Sequence, residues 1–303
     1  MAAVGLRTPG RIAETPGRTR QRRTSAAGGY AFMLPFMIPF ILFNLAPLVF
    51  GVVVAFTNWS IIGAPKFIGL ANFKQAFTDP LVLQSFVNTF KYVAVVVPAV
   101  TVVAFLFAMY VNQGWPGHTF ARMAFYASNV VSAPVIGLVW TWMLNGQNGI
   151  IDHYFHLQIT WLTSTTWAWV GICIATVWWD SGLIFILFLA GLQEIGPEIL
   201  DAARIDGANW WRSLTRIHIP MLRRTIVLAV TLELISTFQI FSQVNVMTAG
   251  GPANSTASVM QYLYTNGVTR QELGYASALG MMLFVLIVVV ALVFRRFMPE
   301  RNW

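Results

Sequence analysis

The sequence predicts an all-α fold: a polytopic membrane protein with six transmembrane helices and one cytoplasmic helix-turn-helix loop. Three observations predict it. Of 303 residues, 57% are apolar and only 10% are charged, against about 25% charged in soluble domains. The apolar residues fall into six runs, each close to the roughly 20 residues a helix needs to cross a hydrocarbon core of about 30 Å. Fifteen of the nineteen lysines and arginines fall in segments on one side of those runs. The composition excludes a disordered chain, a collagen-like fibre and a disulfide-stapled domain. The single cysteine, Cys173, lies in an apolar run and leaves no internal disulfide or thiol cluster.

Residues 1–29 carry Arg7, Arg11, Arg18, Arg20, Arg22 and Arg23 with almost no apolar clustering. They read as a disordered basic cytoplasmic tail. Arg22-Arg23-Thr24 is similar to a twin-arginine signal, but the apolar run after it is too long for a signal peptide. The membrane domain is expected over 30–297, with spans at 34–56, 86–111, 120–144, 167–191, 225–247 and 275–294. Residues 298–303 form a short C-terminal tail. The first span is interrupted by Pro35, Pro39, Asn44 and Pro47, the fifth by Glu233, Ser236, Gln239 and Gln243.

With the N-terminus in the cytoplasm, Lys66, Lys74, Lys91 and Arg270 are the four basic residues on the outer side or its borders. The excess inside places both termini in the cytoplasm. The same excess accounts for the net charge of +8 without nucleic acid. Most of the twelve tryptophans, Trp115 and Trp167 among them, lie in or near span ends, as interfacial anchors do.

Residues 192–224 are too polar to span and too patterned to be a linker. Pro197 opens a helix, and Ile199, Leu200, Ala203 and Ile205 recur at roughly helical spacing. Asp206-Gly207 reads as a turn. A second helix runs over 208–217, with Trp211, Leu214 and Ile217 recurring every three residues, and Pro220 ends it.

Asp201-Ala202-Ala203-Arg204-Ile205-Asp206-Gly207-Ala208, followed by Ile217-His218-Ile219-Pro220, resembles the EAA motif of ABC importer permeases. Asp201 stands where that motif has Glu, Leu214 where it has Phe, and Ile219 where it has Leu. Ser132–Trp140 with Gly149-Ile150-Ile151, the stretch from Phe238 through Thr248-Ala249-Gly250-Gly251-Pro252, and Gly274–Ala278 resemble the maltose-type group of carbohydrate and glycerol-phosphate importers. The resemblance covers about residues 30–297.

It implies a second homologous permease, a dimeric cytoplasmic ABC ATPase and an extracytoplasmic solute-binding protein as partners, all within membrane lipid. It implies that 192–224 is a coupling loop, with Asp201, Ala202, Ala203, Asp206, Gly207, Ala208 and Pro220 engaging the ATPase. The chain is expected to bind no cofactor and to be no enzyme, with ATP and Mg on the ATPase. Its only lysines, Lys66, Lys74 and Lys91, do not follow a glycine as a P-loop requires.

Two ionisable residues stand out inside the spans, Asp180 in the fourth and Glu233 in the fifth. Such residues face a cavity or a partner. Glu233, Ser236, Gln239 or Ile240, and Gln243 lie three to four apart and so share one helix face. Two readings stand for this face and for Asp180: lining of the substrate path, or a polar clamp between helices. Phe238 and Phe241 flank the stripe. Asp152, His153 and His156 lack the spacing of a structural zinc site and read as an outer docking loop. The loop at Gly250-Gly251-Pro252 either meets the binding protein or folds back over the path. The outer side has few basic groups, which leans towards a neutral sugar rather than glycerol-3-phosphate or a glycerophosphodiester. A self-contained secondary transporter is the distant alternative; no internal repeat supports it.

Overall fold

A computed structural model describes residues 26–61, 63–146, 149–156 and 159–298. The predicted tail therefore lies outside the described residues up to residue 25, as does 299–303. Inside the predicted tail, Ala26 already begins a helix.

The chain divides into two units, 1–49 and 50–303. In the first, α1 (Ala26–Phe40) runs into a π-helical turn at Ile41–Leu45 and on into α2 (Ala46–Ala55), whose end belongs to the second unit. Pro47, the second residue of α2, has no N–H to donate, and the wider π turn just before it is where the ladder is relaxed. Side chains from Met33 to Phe50 are exposed throughout.

The second unit continues with α3 (Ala71–Thr78) and α4 (Pro80–Asn112), then α5 (His118–Val130), α6 (Ala133–Met143) and α7 (Ile150–Phe155). After α8 (Trp167–Gln193) come α9 (Pro197–Ile205) and α10 (Trp210–Ser213), a π turn at Leu214–His218, and α11 (Ile219–Met221). The chain ends with α12 (Arg223–Phe238), α13 (Ser242–Met247), α14 (Val259–Tyr264), a π turn at Thr265–Thr269, and α15 (Leu273–Phe297).

Met33–Ala55, α4, α8 and α15 are each long and apolar enough to cross a membrane. The predicted third span is not one helix: α5 and α6 meet at 107°. Val131 and Ser132 are extended there, and Pro134 sits in the first turn of α6. A proline starts a helix without losing a needed bond, but cannot join smoothly onto one already running. The predicted fifth span is also divided. Its helix, α12, ends at Phe238, and α13 starts only at Ser242.

Helices α4 and α8 form the centre. Val96, Val100, Ala104 and Ala108 recur every four residues on α4 and are buried in one cluster with Ile172, Ala175, Ile184, Phe185 and Phe188 of α8. The alanines permit close approach of two backbones, which replaces the missing hydrophobic drive between helices in lipid. Gly182 does the same for α5: a Cβ there would stand 2.6 Å from the Phe125 carbonyl oxygen.

Asp79 ties three helices together at the start of α4. Its Oδ1 caps the helix by accepting from the Leu81 amide at 2.9 Å. Its Oδ2 accepts from the hydroxyls of Tyr262 at 2.7 Å and Tyr275 at 3.1 Å. Burial raises the carboxyl's pKa, but these donors outweigh it, and the group sits below its ordinary value. A lowered folded pKa adds stability that is complete above the unfolded value and lost as pH falls through the folded one. We expect Asp79→Asn to cost about 1–2 kcal/mol at neutral pH. Acid thermal-shift curves of the two proteins in detergent should draw together as pH falls below about 4; a constant gap would contradict this.

Candidate functional site

Two places concern function. The first is the polar loop after α8. Pro197 opens α9 and Glu198 lies in its first turn, where a carboxylate suits the helix dipole. The helix is closed by a paired-bond turn. The Gly207 amide donates to the Arg204 carbonyl at 3.1 Å and the Ala208 amide to the Ala203 carbonyl at 2.9 Å. This Schellman arrangement needs a left-handed residue, and Gly207 supplies it at φ +74°. Asn209 then caps α10, its side-chain oxygen accepting from the Arg212 amide at 2.9 Å. That cap is legible in the sequence as an Asn three residues before Arg212, yet the expected helix start at 208 passed over it.

Pro220 does not end the second helix, as the sequence suggested. The helical path continues from Trp210 to Met221 through the π turn at Leu214–His218, and breaks at Leu222. The wider turn relieves the missing N–H of Pro220 without a stop. Leu214 is buried in the central cluster, and Leu200 packs against it. The outer face is different: Asp201, Ala202, Asp206, Gly207 and Pro220 are exposed, and Ala203 and Ala208 half-buried. Ile205 is 86% exposed, with Trp210 and Trp211 exposed beside it. Asp201 is ion-paired with Arg204 at 3.1 Å, an exposed pair of small energetic weight. A cavity of about 470 Å³ separates the hairpin from the end of α4, lined by Asn112, Gln113, Ala203, Ala208, Trp210 and His218 among others.

The second place is a cavity of about 210 Å³ in the helix bundle. It brings together five of the six candidate path residues: Asp180, Ser236, Gln239, Ile240 and Gln243. Tyr92, Thr176, Trp179, Thr237, Phe241 and Ser242 complete most of its wall. The shared helix face that the spacing suggested is not continuous, because α12 stops at Phe238. The residues converge through the irregular bend 239–241 instead. Glu233 does not line the cavity. It is buried at 3% exposure and accepts a hydrogen bond from the Thr237 hydroxyl at 3.0 Å. Phe238 belongs to the core, packed edge-on against Phe90. Tyr92 and Thr176 were missed because each reads as an ordinary member of an apolar run. Their hydroxyls bond each other, a pairing that exists only once α4 and α8 pack.

The loop 248–258 folds back, which the sequence left open. Thr256 and Ser258 are fully buried. The Asn88 amide donates to the carbonyls of Asn254 and Ala257, both at 3.1 Å. The Trp169 indole donates to the Ser255 carbonyl at 2.7 Å, and the Ser258 hydroxyl to the Ile240 carbonyl at 2.8 Å. Asn88 is one turn before Tyr92 on α4, and Trp169 two turns before Thr176 on α8. The loop therefore covers the cavity on the side away from the hairpin. Asp152, at the other candidate loop, accepts from the Trp161 indole at 2.8 Å. Among the described residues no group of three or more His, Cys, Asp or Glu is arranged to hold a metal.

A bundle of buried-centre helices, with a helical hairpin exposed at one end, is matched by comparison with known proteins. Residues 82–302 match the family described as binding-protein-dependent transport system inner membrane component. The chain belongs to that family. This permease is 30% identical to the Probable ABC transporter permease protein YesP of Bacillus subtilis, over 94% of each chain. It is 27% identical to the multiple sugar-binding transport system permease protein MsmF of Streptococcus mutans, over 87% of this chain and 92% of that one. Its fold matches a chain in the crystal structure of a bacterial alginate ABC transporter in complex with an alginate pentasaccharide-bound periplasmic protein. The TM-score is 0.77 at 20% identity, over 90% and 96% of the two chains. The permease is accordingly an all-α, multi-pass membrane protein of the ABC importer class.

Proposed function

We propose that this permease forms half of the path by which a carbohydrate, a sugar or oligosaccharide, enters the cell, in a heterodimer with a second homologous permease. The reading places 192–224 and both termini in the cytoplasm. A dimeric ATPase there receives the hairpin and holds the ATP and Mg; this chain holds neither. An extracytoplasmic binding protein delivers the substrate on the opposite side.

The observation that carries this reading is the pairing of the two sites on the same helices. The hairpin packs onto the central cluster through Leu200 and Leu214, while α4 and α8 of that cluster also wall the cavity. Ile205, Trp210 and Trp211 stand exposed at the hairpin tip, the exposed apolar chemistry of a docking surface. Closure of an ATPase on a rigid hairpin would move the helices that line the path. Carbohydrate is supported by the cavity wall, which has hydroxyls, amides, a carboxylate and aromatic rings and no Lys, Arg or His. A glycerol-phosphate cargo would call for cationic groups there.

Purification of the tagged chain in mild detergent, with mass spectrometry of co-purifying proteins, tests the assembly. Recovery of a second permease and an ATPase is the expected result. A chain that comes out alone and transports a solute after reconstitution would overturn the reading.

A further inference from the structure

Several hydrogen-bond donors of the cavity wall are already used within the protein. The Tyr92 hydroxyl donates to Thr176, the Thr176 hydroxyl to the Ile172 carbonyl at 2.9 Å, and the Thr237 hydroxyl to Glu233 at 3.0 Å. The Gln239 amide donates to the Ile235 carbonyl at 3.1 Å. These donors are spent within the protein. Asp180, by contrast, lines the cavity with no hydrogen bond or ion pair among the described residues. Glu233 lies behind the wall within electrostatic reach of it. An ionisable side chain inside a membrane span is costly and is ordinarily paired or turned towards a path. This one has a cavity before it and no cation beside it.

Resting on the carbohydrate reading, we propose that Asp180 determines which saccharides enter. Its carboxylate accepts hydrogen bonds from the hydroxyls of an uncharged saccharide, and it rejects saccharides that carry carboxylate, sulfate or phosphate. A hydroxyl of the ligand supplies the donor that Asp180 lacks. A bound hydroxyl gives a charge-assisted bond. A bound anion meets a like charge in a region of low dielectric, with roughly tenfold to hundredfold weaker binding as the result. The fold itself does not forbid acidic cargo, since the alginate transporter shares it. The exclusion lies in this side chain.

The test uses the assembled importer with Cys173→Ala and Ser242→Cys, Ser242 being part of the wall. The rate of maleimide labelling is measured with neutral gluco-, manno-, xylo- and arabino-oligosaccharides and with oligouronates of equal length. In the parent, at least one neutral saccharide is expected to slow labelling threefold or more, and no oligouronate to do so. Asp180→Asn should weaken neutral protection about tenfold and admit the oligouronates. Asp180→Glu, which keeps the charge, should keep the exclusion; this separates charge from a merely structural role. Equal protection by oligouronates in the parent, or an unchanged preference in Asp180→Asn, overturns the proposal. So does the lack of any protection in an importer that still moves a carbohydrate. Failure of the assembled importer to move any carbohydrate would instead overturn the functional reading itself.

Discussion

Gly207→Asp is expected to reduce import by at least tenfold while the complex still assembles and hydrolyses ATP. The reason lies in what the substitution does not disturb. A Cβ at Gly207 meets nothing within 4 Å of its own chain. The backbone at φ +74° is left-handed, a conformation that costs a non-glycine residue about 1–2 kcal/mol and Asp less than most. The paired bonds to Arg204 and Ala203 therefore survive, and so does the hairpin. What changes is the surface that the proposed function offers to an ATPase, where a carboxylate is added beside the exposed Asp206. Gly207→Ala serves as the comparison. It carries at least as much backbone strain with only a methyl group, and import should fall no more than threefold. Uptake of labelled substrate, with ATPase activity of the purified complex, separates coupling from folding. Full import by the Asp variant would remove the hairpin tip from the coupling surface.

Asn88→Leu is expected to release the loop over the cavity. The Asn88 side chain is 5% exposed and satisfies two carbonyls at once. Leucine removes both bonds; the Asn254 oxygen keeps the Gln84 amide at 3.3 Å and the Ala257 N–H at 3.2 Å, while the Ala257 oxygen loses the Asn88 donor. An unsatisfied buried acceptor costs about 1–3 kcal/mol, and that loss falls on one short loop. Ala253 and Asn254 already hold positive φ values of 50° and 56°, and such backbone relaxes once its restraints go. The Trp169 and Ser258 contacts remain and keep the change local. In a Cys173→Ala background, Ser255→Cys should be labelled at least tenfold faster from the face opposite the hairpin when Asn88 is replaced by leucine. An unchanged rate would mean that the loop is held by its other contacts and that Asn88 is no latch.

Much of the polar hairpin was legible because its signals are local. Pro197, Gly207 and the apolar spacing of 199–205 act within one or two turns of chain. The error at Pro220 has the same origin: a proline is a strong local breaker, but a π turn just before it absorbs the missing bond, and that turn depends on Leu214 being pulled into the core. The bend between α5 and α6 was also written locally, in Ser132 and Pro134, yet hydropathy summed over a window runs across it. Reading 225–247 as one face failed because helical periodicity presumes a continuous helix, and the Ile240 carbonyl is instead taken up by Ser258, eighteen residues on.

The sequence alone determined that this chain lives in a membrane, that it is built of helices, and that 192–224 is a structured hairpin. Those properties follow from composition, from runs of apolar residues and from neighbours a few positions apart. Only the tertiary structure decided that Asp180 faces a cavity and Glu233 does not, that Tyr92 and Thr176 meet, and that 248–258 folds inward. Each of these depends on groups from separate helices arriving at one depth in the bundle. Hydrogen bonds such as Asn88 to Asn254, 166 residues apart, form only when packing has brought their partners together, and no spacing along the chain records them.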